Sequence, residues 1–388
     1  MSWIEIRMYF SFNREKARPS VRFFLAGFLL LHLFISQSLM AAEDQWQDVE
    51  RIVAVGDIHG DYDNFLKVLQ GADIVNRRGN WIAGETHLVQ LGDVPDRGPD
   101  TSNVIALLKK LEKQAERDGG RVHVLIGNHE AMNMYGDLRY VDPGEYAALR
   151  TRNSRRVRDN YYETDIARRK QADSGFVADK AFREQWEQSI PLGMLEHRVA
   201  WSAEGDLGKW VRQHNAVIKI NRTLFLHGGI SAEDLVLSIT EINEQIRHEL
   251  NGGLGEEPGL SEKSTGPLWY RGLASNDEEI ERAHLEKVLA TYDVDRVVLG
   301  HTPGLGTIVP RFEGRVLIVD TGLSSYYGGF LASLLLENSG AFTVQGDEKV
   351  PLPDSKEGLL PYFQRIAELE PNARALQARI NDLTAPVD

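Results

Sequence analysis

Five times along this 388-residue chain a short aliphatic run stops at glycine or histidine, and a compact polar cluster follows. Residues 51–55 lead into Gly56-Asp57-Ile58-His59-Gly60, and residues 86–91 into Gly92-Asp93-Val94-Pro95-Asp96-Arg97-Gly98. Residues 121–126 lead into Gly127-Asn128-His129-Glu130, residues 223–226 into His227-Gly228-Gly229, and residues 296–299 into Gly300-His301-Thr302-Pro303. Each run is β-branched or leucine-rich, which reads as a buried strand. Helical patterns lie between them; across 103–114, Val104, Leu107, Leu108 and Leu111 share one face. Strands alternating with helices predict an α/β fold in layers, a central β-sandwich flanked by helices.

The rest of the chain departs from that rhythm. Residues 136–212 are rich in arginine and tyrosine and poor in strand signals, which predicts a helical insertion that could act as a lid over a site. Strand patterns return at 306–319 and 331–345, where helical patterns thin out, and predict a second, mainly antiparallel sheet. The glycine- and glutamate-rich stretch 251–266 reads as a loop, and 359–381 as one polar amphipathic helix on the outside. This gives a body over 43–346 and a polar helical extension over 347–388.

In α/β sheets the carboxyl ends of the strands open into the ligand crevice. Polar groups placed there by five strands can converge, and adjacent glycines let the backbone turn and approach a ligand. Convergence brings together two aspartates, an asparagine and three histidines: Asp57, His59, Asp93, Asn128, His227 and His301. With no cysteine in the chain, any metal must be held by oxygen and imidazole nitrogen, which suits manganese, iron, zinc or cobalt. Six ligands are too many for one open ion and about right for two that share a carboxylate. Asp57, His59 and Asp93 would hold one, and Asp93, Asn128, His227 and His301 the other. Two ions roughly 3.5–4 Å apart can clamp a phosphoryl group for in-line attack.

Each cluster alone has an ordinary explanation. Asp57 could be a turn residue, Asp93 with Asp96 and Arg97 a surface ion-pair loop, Asn128 a helix cap, and His227 or His301 a satisfied buried histidine. Their conjunction, after strands and beside glycines, is what argues for a site. Other residues stay open. Arg271 could stack on Trp269. Arg150, Arg152, Arg155, Arg156 and Arg158 could be a solvated helix face or a docking surface for acidic or phosphorylated segments. Tyr140 reads as packing, Tyr326 and Tyr327 are undecided, and the remaining histidines read as structural.

The five clusters, in this order, resemble the calcineurin-like metallophosphoesterases. Asp96-Arg97-Gly98 is similar to the phosphoprotein phosphatase branch of that family. The run 128–133 followed by 136–141, with Trp269-Tyr270-Arg271, resembles most the bacterial-type Shewanella-like protein phosphatases. The resemblance spans roughly residues 51–336. It implies that His129 is the general acid, oriented by Asp96, and that Arg97, Asn128 and Arg271 bind phosphate oxygens. It implies two divalent metal ions and attack by a metal-bridging hydroxide on phosphorylated protein, phosphotyrosine ahead of phosphoserine and phosphothreonine. Asp61 and Val94-Pro95 depart from the Gln and Tyr-Val of eukaryotic Ser/Thr phosphatases. The competing activities are dinucleoside polyphosphate hydrolysis, phosphodiester hydrolysis, and broad scavenging of phosphate from small monoesters; dinucleoside polyphosphatases typically carry Ala where this chain has Asp96.

Charge and the N-terminus bear on location and partners. The formal net charge is -13. Residues 1–42 hold five basic side chains against two glutamates, so the remainder carries more negative charge still. Such a body disfavours nonspecific nucleic-acid binding. A basic stretch ending at Arg22, an apolar run over 23–35, and the small pair Ala41-Ala42 predict a signal peptide, export, and a periplasmic location. The apolar run falls short of the ~20 residues of a spanning helix, so no stable membrane span is expected after cleavage; an uncleaved N-terminal anchor is the alternative.

Overall fold

The computed structural model describes residues 43–385. The expected signal segment, 1–42, lies outside them. Twelve strands are named in chain order: β1 (Gln45–Trp46), β2 (Arg51–Val55), β3 (His87–Gln90), β4 (Arg121–Val124), β5 (Val217–Ile220), β6 (Thr223–Leu226), β7 (Arg296–Leu299), β8 (Val309–Arg311), β9 (Val316–Ile318), β10 (Ala332–Glu337), β11 (Gly340–Gln345) and β12 (Glu348–Pro351). They form two six-stranded sheets, in the orders β1-β5-β6-β7-β9-β8 and β12-β11-β10-β2-β3-β4.

Alternation along the strands explains why the sheets stack. Ile52 and Ala54 of β2, Phe225 of β6, Val298 of β7, Leu317 of β9 and Leu334 of β10 belong to one core cluster drawn from both sheets. Val53 and Val55 point the other way, into a larger cluster that includes the helical residues Phe65, Leu69, Leu108 and Leu111. With a side-chain period of two, each strand feeds both cores. The result is a β-sandwich with helices outside, as expected from the sequence.

The late strands correct one expectation. They make no separate antiparallel sheet. β8 and β9 extend the sheet of β6 and β7, with β9 parallel to β7. β10 lies antiparallel beside β2, and β11 and β12 add on through hairpins. Periodicity marks a strand but does not name its neighbour, and here a buried β2 edge needed a partner.

Residues 136–212 contain the helices Pro143–Ala148, Ser154–Ala172, Lys180–Ser189, Met194–Ala200 and Asp206–Val211 and no strand. Tyr161, Tyr162, Ile166, Trp186, Ile190 and Leu195 give them a small core of their own. The single helix expected over 359–381 is two, Leu359–Leu369 and Arg374–Thr384, because Pro371 stops the first. Tyr362, Phe363 and Ile366 are buried there with Val350 of β12. The expected division at 346/347 falls inside the β11–β12 hairpin. Among the described residues no helix is long and apolar enough to cross a membrane.

Candidate active site

The pairing of the strands decides what can meet. β2, β3 and β4 run parallel in one sheet, and β6, β7 and β9 parallel in the other. Contacts across the sheets between the residues that follow these strands, His227 with Asp93 and Asn128 and His301 with Asp57, put the strand ends at one rim. Asp57 and His59 follow β2, Asp93 follows β3, and Asn128 and His129 open the helix Asn128–Tyr135 after β4. His227 follows β6, His301 follows β7, and Asp320 follows β9. All are buried.

The backbone there is unusual. His59, Asp93, Asp96, Arg97 and His301 all have positive φ, between 48° and 72°. Side chains with a Cβ avoid this region unless the surroundings fix it. The fixing bonds are visible. Ile58 and His59 donate their N–H groups to the Asp93 carbonyl, at 3.1 and 3.0 Å, and Arg97 N–H donates to the Tyr140 carbonyl at 3.0 Å. The glycines are needed for the approach of one cluster to the next. A Cβ at Gly300 would lie 2.7 Å from Asp57 Oδ1, and one at Gly92 would lie 2.6 Å from the Gly127 nitrogen.

Asp93 sits at the centre. Its Oδ2 lies 3.3 Å from His227 Nε2, 3.8 Å from His129 Nε2 and 3.9 Å from His59 Nε2. Two triads of donor atoms, His59–Asp93–His129 and Asp93–His227–His301, are each grouped within 4.8 Å, and Asp93 is common to both. Asp57 Oδ2 is 3.9 Å from His59 Nε2, and Asn128 Oδ1 is 2.9 Å from His227 Nε2. The structure thus brings all six sequence-derived ligands together.

Does this set suit divalent ions? His59 engages the Pro95 carbonyl through Nδ1 at 3.1 Å, and His227 the Leu91 carbonyl through Nδ1 at 2.7 Å, so both turn Nε2 to the centre. Nε2 of His301 is buried with no hydrogen-bond partner. Burial holds His59 and His301 neutral, at about 3 and about 2, with His227 and Arg271 adding to the effect at His301. Neutral imidazole is the metal-binding form. Burial, together with Asp320 and Asp93, pushes the Asp57 carboxyl well above its usual range, and burial lifts Asp320 to about 6. Burial also works against Asp93, but His227 and His129 outweigh it and hold that carboxylate well below its usual range. Burial would lower the His227 pKa, but Asp93 raises it above the ordinary value; crowded buried carboxylates facing imidazoles, two of them held neutral, fit divalent cations.

His129 differs from His59 and His227 in having a carboxylate rather than a carbonyl on its Nδ1. Its Nδ1 lies 2.5 Å from Asp96 Oδ2, and Asp96 Oδ1 accepts from Asn133 Nδ2 at 2.9 Å. Burial alone would lower its pKa, but Asp93 and the Asp96 hydrogen bond raise it above the ordinary value. A histidine whose Nδ1 is tied to a carboxylate and whose pKa is raised is suited to giving a proton.

The two arginines lie at the rim. Arg271 Nη1 donates to the His301 carbonyl at 2.6 Å and to Thr302 Oγ1 at 3.1 Å. The Arg97 guanidinium carbon stands 3.9 Å from the centroid of the Tyr140 ring, and Nη1 donates to the Tyr326 hydroxyl at 3.2 Å. Tyr140 therefore carries Arg97 in addition to packing. In the insertion, Arg158 pairs with Glu187 at 3.0 Å, whereas Arg150, Arg152, Arg155 and Arg156 are exposed.

Sequence reasoning missed three acids. Asp320 follows a strand and precedes Thr-Gly, the same signal that marked Asp57, and that signal could have found it. Glu130 is buried beneath Asp93; its carboxylate accepts N–H groups from Asp93, Val94 and Gly127 at 2.9, 2.7 and 2.8 Å. Glu145, in the insertion, accepts from Asp96 N–H at 2.9 Å. Neither glutamate carries a local signal beyond a helix first turn.

Comparison with known proteins agrees with this geometry. The profile of the calcineurin-like phosphoesterase family matches residues 50–305. An uncharacterized protein of Schizosaccharomyces pombe is 38% identical over 74% of this chain and 77% of its own. Shewanella-like protein phosphatase 2 of Arabidopsis thaliana is 28% identical over 82% of this chain and 85% of its own. Among solved structures, a cold-active protein-tyrosine phosphatase of a psychrophilic Shewanella superposes with a TM-score of 0.61 at 30% identity, covering 79% of this chain and 82% of that one.

Proposed function

The chain belongs to the calcineurin-like phosphoesterase family and is a metal-dependent phosphatase, and we propose that it is a phosphomonoesterase acting on phosphorylated protein, phosphotyrosine before phosphoserine or phosphothreonine. The observation that carries this reading is the His129–Asp96 pair, at 2.5 Å, standing beside the shared carboxylate of Asp93. A monoester releases an alcohol or phenol, and that leaving oxygen needs a proton. The raised pKa of His129 favours the proton-bearing form where it can give one, and Asp96 stabilises the imidazolium and fixes Nε2 toward the site.

Asp57, His59, Asp93, Asn128, His227 and His301 would hold two divalent ions, manganese being one candidate. Bound there, the ions supply charge neutralisation of the phosphoryl group and a nucleophile at neutral pH. The chain's own groups do the rest. Arg97 and Arg271 offer planar donor forks to the phosphoryl oxygens. Asn128 can reach an ion through Oδ1 and the phosphate through its amide. The likeness to a protein-tyrosine phosphatase supports the phosphotyrosine preference. The basic and apolar N-terminal stretches support export to the periplasm; fractionation of the native host and sequencing of the mature N-terminus test that.

The test of activity is a hydrolysis panel with added manganese. It compares p-nitrophenyl phosphate, phosphotyrosine and phosphoserine peptides, dinucleoside polyphosphates and a phosphodiester. Phosphotyrosine peptide turnover is expected to lead. Diester or dinucleotide cleavage without monoester turnover overturns the reading.

A further inference from the structure

Resting on the phosphomonoesterase reading, we propose that Tyr140, Tyr326 and Tyr327 form a seat for an aromatic leaving group, and so make the site prefer aryl over alkyl phosphates. These tyrosines lie in two distant stretches of sequence, and the fold joins them into one arc. The Tyr140 ring is 5.2 Å from the His129 ring. The Arg97 guanidinium lies between Tyr140 and Tyr326, with its carbon 3.9 Å and 5.0 Å from the two centroids. The Tyr326 and Tyr327 rings are 4.9 Å apart, and Tyr327 is 5.3 Å from His59. The arc thus runs from the proton donor, past the phosphate-binding arginine, to a metal ligand.

Tyr326 is not there to build a core. It is 60% exposed and belongs to none of the hydrophobic clusters of the described residues. Its loop is nonetheless tied down. Asp61 Oδ2 accepts from Ser325 N–H at 2.8 Å and from Ser325 Oγ at 2.7 Å, and Asn64 Nδ2 donates to the Leu323 carbonyl at 3.1 Å. Asp61 is the residue that departs from the Gln of eukaryotic Ser/Thr phosphatases. Here it fastens the tyrosine loop to the cluster that carries His59. A large exposed ring on an anchored loop at a site mouth suits recognition, because little conformational freedom is lost when a ligand covers it.

The chemistry gives the direction. An ester whose leaving oxygen is protonated by His129 has its organic group on the His129 side, and that group leaves the site past Tyr140 and Tyr326. A phenyl group offers these rings an edge or a face. A serine methylene offers neither, and its short side chain would draw the peptide backbone onto the tyrosine arc.

Peptides of one sequence carrying phosphotyrosine or phosphoserine separate the possibilities. The wild type is expected to favour phosphotyrosine. Tyr326→Leu should cut kcat/KM for the phosphotyrosine peptide about three- to tenfold, mainly through KM, the worth of one aromatic contact. The phosphoserine value should change less. Tyr326→Phe loses the hydroxyl that meets Arg97 but should keep the aryl-to-alkyl ratio. Asp61→Ala, which frees the loop, should lower that ratio. Equal losses on both peptides in Tyr326→Leu would mean that the ring only supports Arg97, and would overturn the seat while leaving the phosphatase reading intact. A wild type that turns over neither peptide nor p-nitrophenyl phosphate with manganese overturns the phosphatase reading itself.

Discussion

Asp96→Asn preserves shape at the site and reverses the hydrogen-bond logic around His129. In the native chain Asp96 Oδ1 accepts from Asn133 Nδ2 and Oδ2 accepts from His129 Nδ1. An asparagine at 96 has one oxygen for two donors. The Asn133 amide also donates to the His129 carbonyl at 3.0 Å, so its Nδ2 stays in place and claims that oxygen. The new NH₂ then faces His129 Nδ1, which can meet it only as an acceptor. The imidazolium carries protons on both nitrogens and is therefore opposed directly. A buried hydrogen bond to a charged group is worth about 1.5–3 kcal/mol, which at 1.36 kcal/mol per tenfold is about 10- to 150-fold in the fraction of competent acid. The sign with pH follows. Asp96 helps raise the His129 pKa, so its loss lowers that pKa, and the alkaline limb of the rate profile moves to lower pH. The assay is kcat across pH on a phosphotyrosine peptide and on 2,4-dinitrophenyl phosphate, whose leaving group scarcely needs a proton. The peptide should lose the full factor and the dinitrophenyl ester little. Equal losses on both substrates, or an unmoved alkaline limb, would refute the argument. Adding Asn133→Asp to Asp96→Asn restores an acceptor for the amide and should recover part of the rate.

Asp93→Asn removes the carboxylate common to both donor triads, so bound metal measured by elemental analysis and turnover should fall together; near-normal activity would refute a shared bridge. Glu145→Gln tests a buried acid whose pKa is raised to about 8 by burial and by Asp96. Because its folded value exceeds the unfolded one, the native acid contributes stability at low pH that is lost as pH rises toward 8; the variant should flatten that dependence, raising the unfolding temperature at pH 8 more than at pH 5. Phe363→Ala empties the C-terminal cluster and should cost about 3–5 kcal/mol in urea unfolding; a loss well under 1 kcal/mol would mean that the two last helices dock only loosely.

How far the sequence carries is clear from particular residues. The six ligands were legible because a strand end, a glycine and a ligand-type side chain coincide within a few positions, and parallel strands bring such ends to one rim. The late strands were legible as strands, but whether β10 would sit beside β2 depended on which edge of which sheet was left open, and no local pattern records that. The tyrosine arc was hidden for the same reason. Tyr140 and Tyr326 both stand against Arg97, and Asp61 ties down the loop of Tyr326; those contacts are products of the fold.

The backbone of the cage was the least legible part, and it explains the rest. Of thirteen non-glycine residues with positive φ among the described residues, five are His59, Asp93, Asp96, Arg97 and His301. Each such conformation costs on the order of 1–3 kcal/mol, so together they need strong support. The support is mutual. The β2 loop donates Ile58 and His59 N–H groups to the Asp93 carbonyl, the β7 loop donates His301 N–H to Asp57 Oδ1 at 3.0 Å, and Glu130 takes three N–H groups from the β3 and β4 loops. Loops braced in this way cannot relax one at a time. The side chains that would hold ions are therefore placed by the protein before any ion arrives, and glycine was unavailable as the easy route to those angles because the same positions had to carry ligands (His59, Asp93, His301) or the groups that would handle the proton and the phosphate (Asp96, Arg97).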